Sequence, residues 1–191
     1  MSLEIEAKMR VTDRGAIERR LEELGAQHGP SILEQNTYFD SDDHQLKSTD
    51  QGLRIRVEVH DGEAQTATIT HKGPRAHGKL KSRTETEVTV SDARAAAELL
   101  AALGFLPQLT FEKRRQRWTL DGCHVEMDTL PHLGEFIEIE GPSEEAVLEV
   151  RRRLDLAEAP LIRASYIAML VSHLRENQLR TNNVRLEEER I

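Results

Sequence analysis

Apolar and charged residues alternate at the start of the chain. Leu3, Ile5, Ala7, Met9 and Val11 take one parity, and Glu4, Glu6, Lys8 and Arg10 take the other. A period of two predicts a strand that sends alternate side chains to opposite faces. The same beat returns in Arg54-Ile55-Arg56, Thr84-Glu85-Thr86-Glu87 and Ile137-Glu138-Ile139-Glu140. Each stretch carries one charged face. Several such faces of mixed sign predict a shared polar interior that binds something.

Read in order, the pattern predicts strands over 3–11, 30–40, 53–60, 64–72, 82–90, 109–120, 123–128 and 134–140. Asp61-Gly62 and Asp121-Gly122 are placed to make hairpin turns. Helical spacing marks 16–26 behind the cap Asp13, 93–103 behind Ser91-Asp92, 143–154 opened by Ser143, and 162–176. In the last of these, Tyr166, Leu170 and Leu174 form one stripe. Residues 41–52 read as a polar connection with at most a short turn of helix. Residues 73–81, with glycines, lysines and His77, read as a mobile loop. Residues 177–191 read as a polar, fraying tail. The first two helices both end in Leu-Gly, at Leu24-Gly25 and Leu103-Gly104, which hints at two similar halves.

Eight strands suit a closed antiparallel barrel, because closure removes exposed edges. The expected fold is therefore α+β: an eight-stranded barrel with helices packed outside, one domain over 1–176 and a tail over 177–191. A small barrel normally fills its interior with apolar side chains. The charged faces predict instead a hydrated lumen, satisfied by a ligand, ions or water.

Composition narrows the partners. The 191 residues carry a net charge of −8, which argues against nucleic-acid binding through bulk positive charge. The 26 lysines and arginines still allow a local basic pocket. Cys123, the only cysteine, has no partner for an internal disulfide, so a reducing cytoplasm is expected. No run of about 18 apolar residues occurs, so neither export nor membrane insertion is expected.

The charges themselves suggest chemistry. Carboxylates on the charged faces are Glu4, Glu6, Glu85, Glu87, Glu126, Asp128, Glu138 and Glu140; cations are Lys8, Arg10, Arg54, Arg56, Lys72, Arg83, Lys113, Arg115 and Arg117. Inward cations need an anion, and a polyphosphate suits arginine forks and lysine point charges. Carboxylates would repel that anion unless Mg²⁺ or Mn²⁺ stood between. Taken singly, Glu4-x-Glu6-x-Lys8 and Arg54-x-Arg56 read more readily as solvated strand faces than as a site, and Lys113-to-Arg117 also fits a solvated face. Their occurrence in one predicted barrel is what favours a site. Elsewhere His71 and His77 read as solvated, Cys123 and Trp118 as core, and Glu187-Glu188-Glu189-Arg190 as a solvated end.

The order of these motifs resembles the CYTH superfamily of triphosphate tunnel metalloenzymes, which includes class IV adenylyl cyclases and thiamine triphosphatases. The likeness runs from Leu3 to about Leu174. It rests on Glu4-x-Glu6-x-Lys8, Tyr38-Phe39-Asp40, Leu53-Arg54-Ile55-Arg56, Lys72-Gly73-Pro74 and Arg83-Thr84-Glu85-Thr86-Glu87. It continues through Leu103-Gly104-Phe105, Glu112-Lys113-Arg114-Arg115, Asp128, Leu133-to-Glu140 and Ser165-Tyr166. Lys72-Gly73-Pro74 and Leu133-Gly134-Glu135-Phe136 look most like the class IV cyclase branch.

The resemblance implies a triphosphate held by Lys8, Arg54, Arg56, Lys72, Arg83, Lys113 and Arg115. Lys8, Lys72 and Arg115 would serve the reacting phosphate. Mg²⁺ or Mn²⁺ would lie at Glu4, Glu6, Asp128, Glu138 and Glu140. Two reactions share this grip: cyclisation of ATP to cyclic AMP and pyrophosphate, and hydrolysis of thiamine triphosphate, inorganic triphosphate or a nucleotide. A module that binds polyphosphate without turnover is the third reading. The resemblance also allows a homodimer.

Overall fold

A computed structural model describes residues 2–60, 63–76 and 78–186. The strands are β1 (Ser2–Arg10), β2 (Gln27–Asp40), β3 (Gly52–His60), β4 (Glu63–Lys72), β5 (Lys81–Val90), β6 (Leu106–Leu120), β7 (Cys123–Leu130), β8 (Gly134–Glu140) and β9 (Asn183–Val184). The helices are α1 (Arg14–Glu23), α2 (Gln45–Ser48), α3 (Ala93–Ala102), α4 (Glu144–Arg153) and α5 (Tyr166–Glu176). The sheet order is β2-β3-β4-β5-β1-β8-β7-β6, and a β2–β6 pairing closes it into the expected eight-stranded antiparallel barrel.

The main apolar core lies outside this barrel. Ala7, Met9, Val125, Met127, Ile137 and Ile139 point away from the lumen and meet Ile17 and Leu21 of α1 and Val147 and Val150 of α4. Phe39, Leu53 and Ile55 meet Ala96 and Leu100 of α3 in the same way. Burying each such large side chain contributes roughly 1.5–3 kcal/mol. The wall is thus stabilised from outside, which releases its inner face for charge. Packing at this outer layer is close: a Cβ added at Gly141 would lie 2.6 Å from Cys123 Sγ and 3.1 Å from Val147 Cγ2.

Local signals explain the element ends. Asp13, Asp92 and Ser143 each accept a backbone N–H in the first turn of α1, α3 and α4. Gly25 and Gly104 both take positive φ after their helices, with matching backbone bonds from Ala26 N to Leu21 O and from Phe105 N to Leu100 O. The repeated Leu-Gly therefore marks two equivalent helix stops. Asp121 (φ 50°) and Gly122 (φ 74°) form the expected two-residue turn between β6 and β7. The other expected turn, Asp61-Gly62, lies outside the described residues, as do His77 and Glu187 to Arg190.

Four expectations change. Lys81 begins β5 and does not belong to the preceding loop. The last helix starts at Tyr166, capped by Ser165; residues 162–165 form a strap in which Ile162 N donates to Lys8 O. That helix does not pack outside. Its Tyr166, Leu170 and Leu174 meet Leu109, Phe111, Leu130 and Phe136, so α5 lies across the end of the barrel where β1 finishes. The tail is also more than a frayed end: β9 pairs in parallel with β6, and Val184 is buried. No helix is long and apolar enough to cross a membrane among the described residues.

Candidate functional site

The lumen opens on a cavity of about 1230 Å³, at or above the roughly 300–1,000 Å³ of ordinary small-molecule sites. Lysines and arginines outnumber carboxylates along its wall, although the whole chain is net negative. Alternation on β1, β3, β6 and β8 delivers Glu4, Glu6, Lys8, Arg54, Arg56, Lys113, Arg115, Arg117, Glu138 and Glu140 to this one space. Lys72, Arg83, Glu85 and Glu87 reach it from β4 and β5, and Glu126 from β7.

At the centre stands Arg115. Its Nε lies 2.7 Å from Asp128 Oδ1 and its Nη2 lies 2.6 Å from Asp128 Oδ2, a two-pronged grip. The same Nη2 reaches Glu138 Oε2 at 2.7 Å, and Nη1 pairs with Glu126. Lys113 Nζ sits 3.2 Å from Asp128 and 3.3 Å from Glu34. Lys8 Nζ sits 3.1 Å from Glu138 and 3.8 Å above the Tyr166 ring, and it donates to Ala164 O. The cation over the ring is a favourable face contact between two buried residues.

Further along the lumen Lys72 pairs with Glu85 and lies 3.6 Å from Glu4. Lys81 donates to Glu6 at 2.6 Å. Arg54 approaches Thr70 and Glu87, and Arg83 lies 3.9 Å from Asp50. The opposing charges therefore already satisfy one another in large part. Unspent capacity remains: the Nε atoms of Arg54, Arg56 and Arg83 are buried without hydrogen-bond partners, and so is Glu4 Oε2. Buried donors in this condition are costly and point to a missing acceptor.

Burial alone would raise the carboxyl pKa of Glu138, but Lys8, Arg115, Lys113 and Lys81 overcome it and hold the group well below its ordinary range. Glu34 behaves alike: burial is offset by Lys113, Arg115, Arg56 and Arg54, and its carboxyl is held far down. Glu140 goes the other way. Burial and the neighbouring Glu4, Glu126, Glu6 and Glu85 push it up to about 7. The lumen thus has a cation-dominated middle and a carboxylate-rich end, where β1 begins.

Two residues read from the sequence are placed differently. Arg10 is exposed at the other end, donating to Leu133 O and lying over Phe136, and it does not line the cavity. Asp128 is fully buried behind Arg115 and Lys113 and does not border the cavity. Arg117 does line the cavity, partly exposed between Glu34, Glu58 and Glu126. Two residues were missed. Glu34, at the middle of β2, is fully buried among Arg56, Lys113, Arg115 and Arg117. Its two-residue spacing from Asn36 was the available signal, masked by the polar run around it. Lys81 was lost because the glycines before it made the stretch look like loop.

The carboxylates fit a hard divalent cation of limited protein coordination. Among the described residues no three His, Cys, Asp or Glu side chains already gather as a cation cage. Glu4 keeps an unpartnered buried oxygen, and Glu140 is surrounded by like charge. A Mg²⁺-type ion is commonly held by one or two carboxylates together with substrate phosphate oxygens, which this donor set can provide.

Adenylate cyclase CyaB of Aeromonas hydrophila is 30% identical over 177 residues, covering 85% of this chain and 86% of its own. The PH1819 protein of Pyrococcus horikoshii superposes with a TM-score of 0.77 at 28% identity, covering 89% of this chain and 99% of that one. HpAC1 of Hippeastrum, described as having a dominant triphosphatase activity, shares the fold with a TM-score of 0.70 at 20% identity, covering 89% of this chain and 96% of that one. The CYTH domain model matches residues 2–166. The chain belongs to the CYTH domain family, a family of enzymes in which the relative of 30% identity is named an adenylate cyclase and which implies a divalent metal.

Proposed function

We propose that the lumen binds ATP as its metal complex and converts it to cyclic AMP and pyrophosphate. The observation that carries this reading is the cation-rich cavity wall, with three buried guanidinium Nε donors unpartnered, in a chain of net charge −8. Arg54, Arg56, Arg83, Lys72 and Lys113 bind and orient the phosphates, with Lys8 and Arg115 beside the reacting phosphorus. Arg115 is braced by Asp128 and Glu138, so its fork is fixed before substrate arrives. In the reaction the ribose 3′-oxygen bonds to the α-phosphorus, the bond to the β-phosphate bridge breaks, and the hydroxyl proton is released. Lysine and arginine stabilise the charge that builds on the leaving pyrophosphate.

Glu4, Glu6, Glu138 and Glu140 would hold the metal. Asp128, read from the sequence as a fifth ligand, serves better as the anchor of Arg115. When bound, Mg²⁺ or Mn²⁺ offsets phosphate charge and polarises phosphoryl oxygens.

One observation favours a second reading, hydrolysis of the terminal phosphate. Burial and its carboxylate neighbours push Glu140 up to about 7; left outside the metal's ligands, it suits a general base acting on water at neutral pH. Product analysis with ATP and either metal separates the two. Cyclic AMP with pyrophosphate supports cyclisation. ADP with phosphate and no cyclic nucleotide overturns it in favour of hydrolysis. Tight binding without product overturns both.

A further inference from the structure

Lys8 is 2% exposed, yet it borders the cavity. An ammonium has three N–H donors and no acceptor. Three partners stand within reach of it: Glu138 Oε1 at 3.1 Å, Ala164 O at 3.1 Å, and the face of Tyr166, whose ring centroid lies 3.8 Å from Nζ. Two of the three belong to the strap before α5 and to the first residue of that helix. The same strap also pins the Lys8 backbone, because Ile162 N donates to Lys8 O at 2.8 Å. Lys113 Nζ, arriving from β6, lies 5.3 Å from the same ring centroid. One aromatic ring thus stands against two buried ammonium groups of like charge.

Packing alone does not call for an aromatic ring at this position. Tyr166 sits in the cluster of Leu109, Phe136 and Leu170, where leucine would fill much of the space. An aliphatic side chain cannot supply the negative face of a π-system, which attracts a cation most strongly where water is excluded. We propose that Tyr166 is a positioning residue whose ring holds the Lys8 ammonium in place for an incoming phosphate. A phosphate oxygen takes over the bond now made to Glu138, while the ring and Ala164 O keep the nitrogen where it is. The helix that lies across the barrel end therefore also sets a cation inside the lumen. The inference rests on the lumen being the triphosphate site.

The test is calorimetric titration of the full chain with inorganic tripolyphosphate and Mg²⁺, comparing Tyr166→Leu and Tyr166→Phe in the wild-type and Lys8→Met backgrounds. Tyr166→Leu should raise the dissociation constant about tenfold, a change of about 1.4 kcal/mol. Tyr166→Phe, which keeps the ring, should return it to within about twofold of the wild type. In the Lys8→Met background Tyr166→Leu should add no more than about twofold, because its effect runs through the missing ammonium. An equal loss in both backgrounds, no loss in either, or no rescue by phenylalanine overturns the positioning role and leaves the lumen reading intact. A wild-type chain that does not bind tripolyphosphate overturns both. Circular dichroism checks that each variant folds. If Tyr166→Leu does not, the wild type still decides by NMR: the Lys8 ε-methylene protons should show an upfield ring-current shift that persists when tripolyphosphate binds. Absence of that shift, or its loss on binding, overturns the proposal.

Discussion

Glu34 Oε2 lies 3.3 Å from Lys113 Nζ, and the two side chains are 0% and 5% exposed. Glu34 is also within 4 Å of Arg56, Arg115 and Arg117. One buried carboxylate thus moderates four cations that would otherwise repel one another. Glu34→Gln should destabilise the protein by about 3–5 kcal/mol, the usual cost of breaking a buried ion pair. Adding tripolyphosphate should restore more stability to the variant than to the wild type, because the anion replaces the lost charge. Denaturant unfolding with and without tripolyphosphate checks this; equal gains in both proteins would contradict it.

Arg56 offers a different readout. Its Nε is buried without a hydrogen-bond partner, so it has a donor to spare for phosphate. A hydrogen bond to a charged group contributes about 1.5–3 kcal/mol, so Arg56→Ala should raise KM by about 10- to 150-fold. Steady-state kinetics measures it. An unchanged KM would remove Arg56 from the phosphate grip.

The pH dependence of stability has two opposed parts. Glu34 and Glu138 are held below the ordinary 4.5 in the folded state. Their contribution is complete above that value and is lost as pH falls below it, so acid should unfold the protein early. Glu140 is raised from 4.5 to about 7. Its ionisation costs stability as pH rises from 4.5 through about 7. Glu140→Gln should therefore stabilise the chain at pH ~8 and change little at pH ~5. Denaturant unfolding at the two pH values decides it; equal effects at both would show that the carboxylate cluster does not act on Glu140.

Val184 is 2% exposed and joins the cluster of Phe111, Tyr166 and Leu170. Val184→Ala should cost about 1–3 kcal/mol. A loss near zero, measured by thermal or denaturant unfolding, would mean that the tail frays after all.

The barrel was legible because its strands carry strict alternation: every charge at Glu4, Glu6, Lys8, Arg54, Arg56, Glu138 and Glu140 falls on the parity that the closed sheet turns inward. The helix stops at Gly25 and Gly104 were legible for a similarly local reason. What escaped depends on contacts distant in sequence. The sealing of Asp128 is decided by Arg115 and Lys113 on the next strand, and alternation cannot tell a lumen residue from one hidden behind its neighbours. The position of α5 across the barrel end depends on Phe111, Leu130 and Phe136, apolar residues at inward positions whose role shows only once the strands are paired. Mutual neutralisation of the lumen charges likewise emerges only in three dimensions.

The most direct measurement is a crystal structure of the chain with a non-hydrolysable ATP analogue and Mn²⁺. The account predicts phosphate oxygens within hydrogen-bond reach of Arg54, Arg56, Lys113 and Arg115, with anomalous manganese density beside Glu4 and Glu140. Nucleotide bound on the outer wall, with the lumen ion pairs undisturbed, would contradict it.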